Sequence, residues 1–262
     1  MSALRLIPAL VLLLLLATGC PKGAKSPGGP GYDKDRHAAA VLELGIVAMN
    51  TGNYATALTS LQEAEKMDPK NAVTKQYMGR TYYRMKEYEK AQANYEAALA
   101  LNPALTDVHN DLGLLFIDLK EYAKAREQFT ICINDLTYKD SSLARFNLAL
   151  VEEAEGNTAA ASEIYQRLIA SGEQSSVPYF RLAYLAFKEG DYTHAADLLN
   201  AAVRLQPDNA EAYFLLGESY EKMGMKDEAA EAYGRAVGID PQSLRGIEAQ
   251  RRVREIMKDY KP

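Results

Sequence analysis

Histidine and cysteine are scarce in this chain of 262 residues, and their scarcity excludes several kinds of site. The three histidines, His37, His109 and His194, lie far apart, and no His-x-x-x-His or Cys-x-x-Cys spacing occurs. Because a zinc site needs several such ligands at short, regular spacings, we expect no metal centre. The two cysteines are Cys20 and Cys132, so no disulfide pair remains if Cys20 serves another purpose.

The chain also lacks an excess of positive charge. Lys and Arg number 30 against 35 Asp and Glu, which gives a formal net charge of −5. Nucleic-acid binding needs a basic stripe that neutralises phosphates, and a polybasic membrane-surface domain needs a cluster of cations. The overall composition favours neither of these classes.

No motif of catalytic chemistry is evident in the sequence. The glycines at 28, 29 and 31 do not follow a predicted strand, and no serine lies in a nucleophile-elbow motif. Carboxylate pairs such as Glu152 and Glu153 are interpreted as solvated helix-surface charge, and Cys132 as a buried packing thiol. We therefore expect a protein that is not an enzyme and that uses no cofactor and no small-molecule substrate.

The first nineteen residues have the pattern of an export signal. Arg5 precedes an apolar run from Leu6 to Ala17, which at about a dozen residues is too short to span a bilayer. Small residues follow, and Cys20 comes directly after them. The segment resembles a bacterial lipobox, whose cysteine is acylated and becomes the mature N-terminus, although Ala17 stands where that motif prefers Leu. The alternative is an ordinary signal peptide with a chance cysteine.

The residues after Cys20 predict how the protein is placed in the cell. Pro21 follows the cysteine, and by resemblance to lipoprotein sorting the lack of Asp there favours the outer membrane, with the folded part facing the periplasm. Residues 20–36 are rich in Gly, Pro and Ser and show no apolar periodicity. The sequence thus predicts a signal peptide over 1–19 and a lipidated Cys with a flexible tether over 20–36.

Internal repetition decides the fold prediction. A small residue recurs at intervals of 34 residues, with one interval of 36, at Gly45, Gly79, Gly113, Ala149, Ala183 and Gly217. Each is followed by an alanine after twelve residues and by a large apolar residue four positions later. Small residues let two helices approach closely, while larger ones fill the remaining gaps. Prolines close four of the repeats, where a helix cannot continue, at Pro69, Pro103, Pro207 and Pro241.

This pattern resembles the tetratricopeptide repeat (TPR), a helix hairpin that buries its apolar face only by stacking on its neighbours. The resemblance implies an all-α, right-handed superhelical solenoid of six hairpins over residues 37–241. The predicted repeats lie at about 38–71, 72–105, 106–141, 142–175, 176–209 and 210–241. Residues 242–262 are predicted to form a C-terminal capping helix, with an apolar side of Leu244, Ile247, Val253 and Ile256.

The third and fourth repeats depart from the pattern at their ends. Thr137 and Glu173 replace the closing prolines, and the interval after repeat three grows by two residues. The segment from Asp135 to Ser142 is interpreted as a tolerated insertion. A local change in superhelical pitch is the alternative.

The concave surface is the predicted partner-binding site. In TPR arrays the first helix lines this surface with the second, fifth, ninth and twelfth positions of each repeat. Here many of those positions, Leu143 and Val177 among them, carry apolar or aromatic residues, which on a surface normally mark a binding site. The predicted groove residues are Tyr83, Leu114, Ile117, Phe146, Leu150, Phe180, Tyr184, Phe187 and Phe214. The alternatives are that these faces pack against a neighbouring helix, or that the tether covers the first repeat.

A lipobox, a short tether and six repeats in 262 residues resemble the TPR-type lipoproteins of type IV pilus biogenesis, the PilF/PilW/Tgl pilotin group. The match rests on architecture, because no family-specific motif carries it. The resemblance implies an outer-membrane lipoprotein that binds secretin subunits and promotes their assembly into the pilus channel. Two alternatives are an adaptor for peptidoglycan hydrolases and a component of the outer-membrane protein assembly machinery.

Overall fold

The computed structural model describes residues 30–172 and 174–258. This part of the chain forms thirteen α-helices and no strand. The helices are α1 (Pro30–Asn50), α2 (Tyr54–Met67), α3 (Ala72–Arg84), α4 (Tyr88–Leu101), α5 (Thr106–Asp118), α6 (Tyr122–Asn134), α7 (Ser141–Ala154), α8 (Thr158–Ala170), α9 (Ser176–Glu189), α10 (Tyr192–Leu205), α11 (Ala210–Lys222), α12 (Lys226–Ile239) and α13 (Leu244–Lys258). None of these helices is long and apolar enough to cross a membrane.

The predicted all-α fold of six helix hairpins and a capping helix is confirmed. Odd-numbered helices up to α11 are the first helices of the repeats, and each packs on the even-numbered helix that follows it. The described residues divide into two compact units, one holding α1 and α2 and the other holding α3 to α13.

The small residue of each repeat lies where its two helices come closest. A Cβ atom on Gly79 would lie 2.6 Å from the ring of Tyr95, and one on Gly113 would lie 2.5 Å from the ring of Phe129. Gly217 meets the ring of Tyr233 in the same way. Since such distances are too short for van der Waals contact, the glycines let the aromatic rings pack directly against the first helix.

The core runs along the middle of each hairpin. In repeat three, Ala125, Phe129 and Cys132 on the second helix are completely buried, and the first two belong to the same core cluster as Leu112 on the first helix. Burial of a side chain the size of Phe129 stabilises the folded state by about 1.5–3 kcal/mol. The three side chains were identified from the sequence because their spacing places them on one helix face.

Each turn within a hairpin contains one residue in the left-handed region. Four repeats use glycine there, and repeats two and three use Lys86 and Lys120, with φ of 61° and 59°. Because the Cβ of an ordinary residue crowds its own backbone in this region, the two lysines hold a less favourable conformation than glycine would.

The first helix begins earlier than the sequence predicts. Residues 30–36 were assigned to the flexible tether, but α1 starts at Pro30. Proline suits the first position of a helix, because its missing N–H is one that a helix leaves unpaired there and its φ is already helical. The signal peptide and Cys20 lie outside the described residues.

The loop between α6 and α7 is organised by one carboxylate. Asp135 accepts hydrogen bonds from the hydroxyls of Thr106, at 2.5 Å, and Thr137, at 2.6 Å, and from the N–H of Thr137, at 2.9 Å. These donors, the Thr106 hydroxyl first, lower the pKa of Asp135. Leu136 beside it is 99% exposed. The extra residues therefore lie on the surface, which agrees with a tolerated insertion; Glu173, in the next such loop, lies outside the described residues.

The capping helix packs through only part of the predicted apolar side. Ala249 and Ile256 are buried and Val253 is half-buried against α11 and α12, whereas Leu244 and Ile247 are exposed. Spacings of four and three residues place the first three side chains on one face. A step of 34 residues from Gly217 leads to Arg251, so α13 occupies the place of a first helix of a seventh repeat.

Candidate partner-binding surface

The predicted groove residues all lie on the first helices of repeats two to six, in the unit that holds α3 to α13. Most of them are half-buried, because one side of each ring or aliphatic chain packs into the core. Tyr83, Leu114 and Ile117 pack on the core of repeats two and three. Phe180 and Phe187 pack on the core of repeats five and six. Of the nine, Tyr184 is the most open, with 39% of its surface exposed.

On the first helices of repeats two to six, the large apolar residues with exposed side chains all lie in repeats four and five. Leu143 on α7 is 49% exposed and Val177 on α9 is 43% exposed, and both occupy the second position of their repeats. Tyr184 lies two turns further along α9. We call Leu143, Phe146, Val177 and Tyr184 the apolar patch. Leu143 and Val177, which the repeat pattern places among the groove positions, are the more accessible members.

A cavity of about 200 Å³ opens within the apolar patch. It is lined by Leu143 and Phe146 of α7, Leu168 of α8, Val177 and Pro178 of α9, and Ser142 and Ser175. The Phe146 ring forms the base, because it also packs against Tyr165 with ring centroids 5.8 Å apart. A cavity with mainly hydrocarbon walls can accept an apolar side chain from a partner.

The side of the surface formed by repeats two and three is polar and internally satisfied. The Asp111 carboxylate accepts hydrogen bonds from the Arg80 guanidinium at 2.7 Å and from the Gln76 amide at 3.1 Å. Asn147 donates to Asn110 at 3.0 Å. Burial raises the pKa of Asp111, and the neighbouring Arg80 opposes that shift. These bonds join successive first helices, so the polar groups are occupied and are not free to bind a partner.

Two glutamates interrupt the apolar residues on the first helices, one on α7 and one on α11. Glu153 accepts a hydrogen bond from the Tyr165 hydroxyl at 2.5 Å and pairs with Arg181 at 3.1 Å. Glu221 binds Tyr233 at 2.8 Å and Arg252 at 3.0 Å in the same manner. The sequence analysis did not predict either of these hydrogen-bonded and ion-paired glutamates. The repeated spacing of twelve residues between each glutamate and its tyrosine is the signal that would have found them.

Phe214 is not accessible on this surface. It is 2% exposed, its ring lies 5.5 Å from that of Tyr233, and the Arg245 guanidinium covers it at 4.6 Å. Since Arg245 belongs to α13, the capping helix closes the groove position of repeat six. The sequence prediction that Phe214 lines an open groove is therefore wrong for this residue.

The described residues offer little for metal binding or nucleophilic chemistry. No group of His, Cys, Asp or Glu in that part of the chain is arranged to hold a metal ion. The Cys132 thiol is buried and donates to the Thr106 carbonyl at 3.5 Å. Burial raises its pKa to about 12, so the thiol is not ionised at neutral pH.

Comparison with known sequences gives repeat matches along much of the chain. The tetratricopeptide repeat matches residues 48–93, 79–120, 143–171 and 180–243, which together amount to more than half of the sequence. The type IV pilus assembly protein PilF of Pseudomonas aeruginosa is 27% identical over 161 residues. That alignment covers 61% of this chain and 64% of PilF, which is slightly less than two thirds of that relative.

Solved structures with this fold include two proteins of type IV pili. The structure of Pseudomonas aeruginosa PilF superposes with a TM-score of 0.71 at 23% identity, covering 84% of this chain and 99% of that one. PilW, described as a widely conserved type IV pilus biogenesis factor, gives 0.72 at 21% identity, covering 82% and 99%. At these identities the likeness shows the fold. With the repeat register, the hairpin packing and these matches in agreement, the chain belongs to the tetratricopeptide repeat family, is homologous to PilF and shares the fold of PilW.

Proposed function

We propose that this chain is a lipid-anchored scaffold on the periplasmic side of the outer membrane that binds secretin subunits and promotes their assembly for type IV pili. The observation that carries the proposal is the apolar patch on repeats four and five. PilF is a type IV pilus assembly protein and PilW a type IV pilus biogenesis factor, and the likeness to both supports the choice of process.

The apolar patch suits a partner that must be kept from aggregating before it assembles. Leu143 and Val177 both line the cavity, and Tyr184 extends the apolar surface along α9. A partner side chain of the size of Leu or Phe would gain about 1.5–3 kcal/mol from full burial there. A hydrophobic segment of an unassembled secretin subunit would be shielded in this way until contact with other subunits buries it.

An acylated Cys20 would raise the concentration of the scaffold where the partner assembles. Several acyl chains on one residue hold a protein stably at a membrane. A scaffold and a partner held at the same membrane have a higher effective concentration for each other, which strengthens binding without any new contact. The scaffold then has no need of catalysis, and binding alone accounts for its action.

The apolar patch is tested by placing charges on its two most exposed members. In Leu143→Glu with Val177→Glu, we expect at least tenfold weaker capture of purified secretin subunits, because each carboxylate would need desolvation in an apolar cavity. We also expect a smaller fraction of secretin multimers in outer membranes. Both residues are about half exposed, so the hairpins should keep their helical circular dichroism signal.

A matched control places the same charges elsewhere on the array. Leu205 and Ile239, which are 41% and 37% exposed at the ends of α10 and α12, are changed to Glu together. This control should capture secretin as the unmodified chain does. Normal multimer formation with the patch variant would refute the proposal. Unchanged secretin capture with loss of a peptidoglycan hydrolase or of barrel-assembly proteins would favour one of the alternatives.

A further inference from the structure

The outer face of α13 carries exposed apolar residues that the fold does not use. Leu244 is 87% exposed, Ile247 is 54% exposed and Met257 is 57% exposed. The opposite face, with Ala249 and Ile256, holds the helix on the last hairpin. The exposed residues are therefore not needed for the packing of α13.

The charge of α13 is opposite to that of the whole chain. The helix holds five cationic residues against Glu248 and Glu255, a net charge of +3, whereas the chain has a formal net charge of −5. The cations are Arg245, Arg251, Arg252, Arg254 and Lys258. Helix α13 is therefore basic, although the chain as a whole is acidic.

Apolar and cationic residues share one stripe of this helix. Leu244, Ile247, Arg251, Arg254 and Lys258 follow each other at spacings of three and four residues, which places them on one face. The first two are apolar and the last three are basic, so the stripe changes character along its length. We call these five residues the α13 stripe.

Contacts along the helix hold the arginines of the stripe in place. Arg251 pairs with Glu248 and, at 2.7 Å, with Glu255. Arg254 donates to the side chain of Gln250 at 3.1 Å. All of these residues except Glu248 are exposed, and Glu248 is only partly buried. The contacts orient the guanidinium groups without covering them.

A partner helix cannot pack here as the second helix of a repeat does. In the other hairpins, the position equivalent to Arg251 is glycine or alanine, and a Cβ on Gly217 would already lie 2.6 Å from the Tyr233 ring. Arg251 fills that space with a long charged side chain.

We propose that the α13 stripe binds the surface of a membrane that contains anionic lipids. Basic residues near such a surface are attracted to its phosphates, and apolar residues such as Leu244 and Ile247 enter the boundary between headgroups and acyl chains. This contact would be separate from the acyl anchor at Cys20 and from the apolar patch. It would hold the C-terminal end of the array against the lipid.

The proposal is tested by co-sedimentation of the full chain with lipid vesicles. All proteins carry Cys20→Ala, so that no acyl chain contributes, and the signal segment is common to all of them. We expect tighter binding to vesicles containing phosphatidylglycerol than to pure phosphatidylcholine. In Arg251→Gln with Arg254→Gln, binding to the anionic vesicles should fall roughly thirtyfold, at about 1 kcal/mol for each cation. Leu244→Ser with Ile247→Ser should weaken binding to both vesicles.

Two controls separate the stripe from general charge and from unfolding. Arg204→Gln with Arg235→Gln removes the same charge from exposed positions on α10 and α12, and it should bind like the parent protein. Circular dichroism checks that each variant keeps its helices. Equal binding to the two kinds of vesicle, or an equal loss in the Arg204 and Arg235 control, would overturn the proposal.

Discussion

Single residues in the hairpin turns show where the chain is not optimised for stability. Lys86 and Lys120 occupy the left-handed conformation that glycine provides in the other four repeats. Both lysines are exposed, so their side chains contribute little packing. Backbone strain at these two positions is therefore a stability cost that a glycine would remove.

We predict that Lys86→Gly with Lys120→Gly stabilises the fold. Relief of the left-handed strain outweighs the extra freedom of glycine in the unfolded chain, which leaves a gain of about 0.5–1 kcal/mol for each change. The measurement is the urea concentration at half-unfolding. Lys66→Gly, at an exposed helical position in α2, is the control and should lower stability by up to about 1 kcal/mol. A loss of stability in both proteins would show that the turns are not strained.

The element that repeats along the chain is a helix hairpin, and one small residue on its first helix lets the two helices pack closely. At Gly113 the adjacent Phe129 ring leaves no room for a side chain, whereas nothing lies within 4 Å of a Cβ placed on Gly234 in α12. The same substitution should therefore have opposite effects at the two sites. This contrast separates interhelical packing from helix propensity.

We predict that Gly113→Ala destabilises the protein and that Gly234→Ala stabilises it. The first change forces α5 and α6 apart or displaces the Phe129 ring, at a cost of about 1–3 kcal/mol. The second replaces a poor helix former by the best one and should gain about 1 kcal/mol. Thermal unfolding followed by circular dichroism compares the two. A change of the same sign in both would contradict the role assigned to the closest approach.

The capping helix shows which features of a single helix could be predicted from the sequence. Sequence periodicity predicted its position closely at the N-terminal end, since the helix was predicted over residues 242–262 and α13 begins at Leu244. The predicted apolar side was right for Val253 and Ile256 but wrong for Leu244 and Ile247, because Ala249 lies on the buried face in their place. Close packing on the last hairpin selected the smaller side chain, which periodicity alone does not weigh.

At the scale of the whole molecule, the proposed scaffold depends on attachment to the membrane. We predict that Cys20→Ala gives a folded protein that no longer fractionates with the outer membrane, because the acyl chains would be lost. Cys132→Ala serves as the control and should stay in the membrane fraction, since that thiol is buried in repeat three. The measurement is fractionation after a wash with salt, which weakens electrostatic attachment through α13. A Cys20→Ala protein that still fractionates with the washed outer membrane would disprove the lipid anchor.

The sequence by itself determined the class and register of the fold. Spacing of small residues, large apolar residues and prolines is a local code for helix hairpins, so the six repeats were predictable from the chain. Only the tertiary structure decided which groove positions are open. Arg245 covers the Phe214 ring, and Asp111 accepts a hydrogen bond from Arg80; each contact comes from a helix about thirty residues away along the chain. Leu143 and Val177, in contrast, are left exposed. Exposure depends on neighbours that the repeat pattern does not specify, and for that reason the proposed binding surface is smaller than the groove predicted from the sequence.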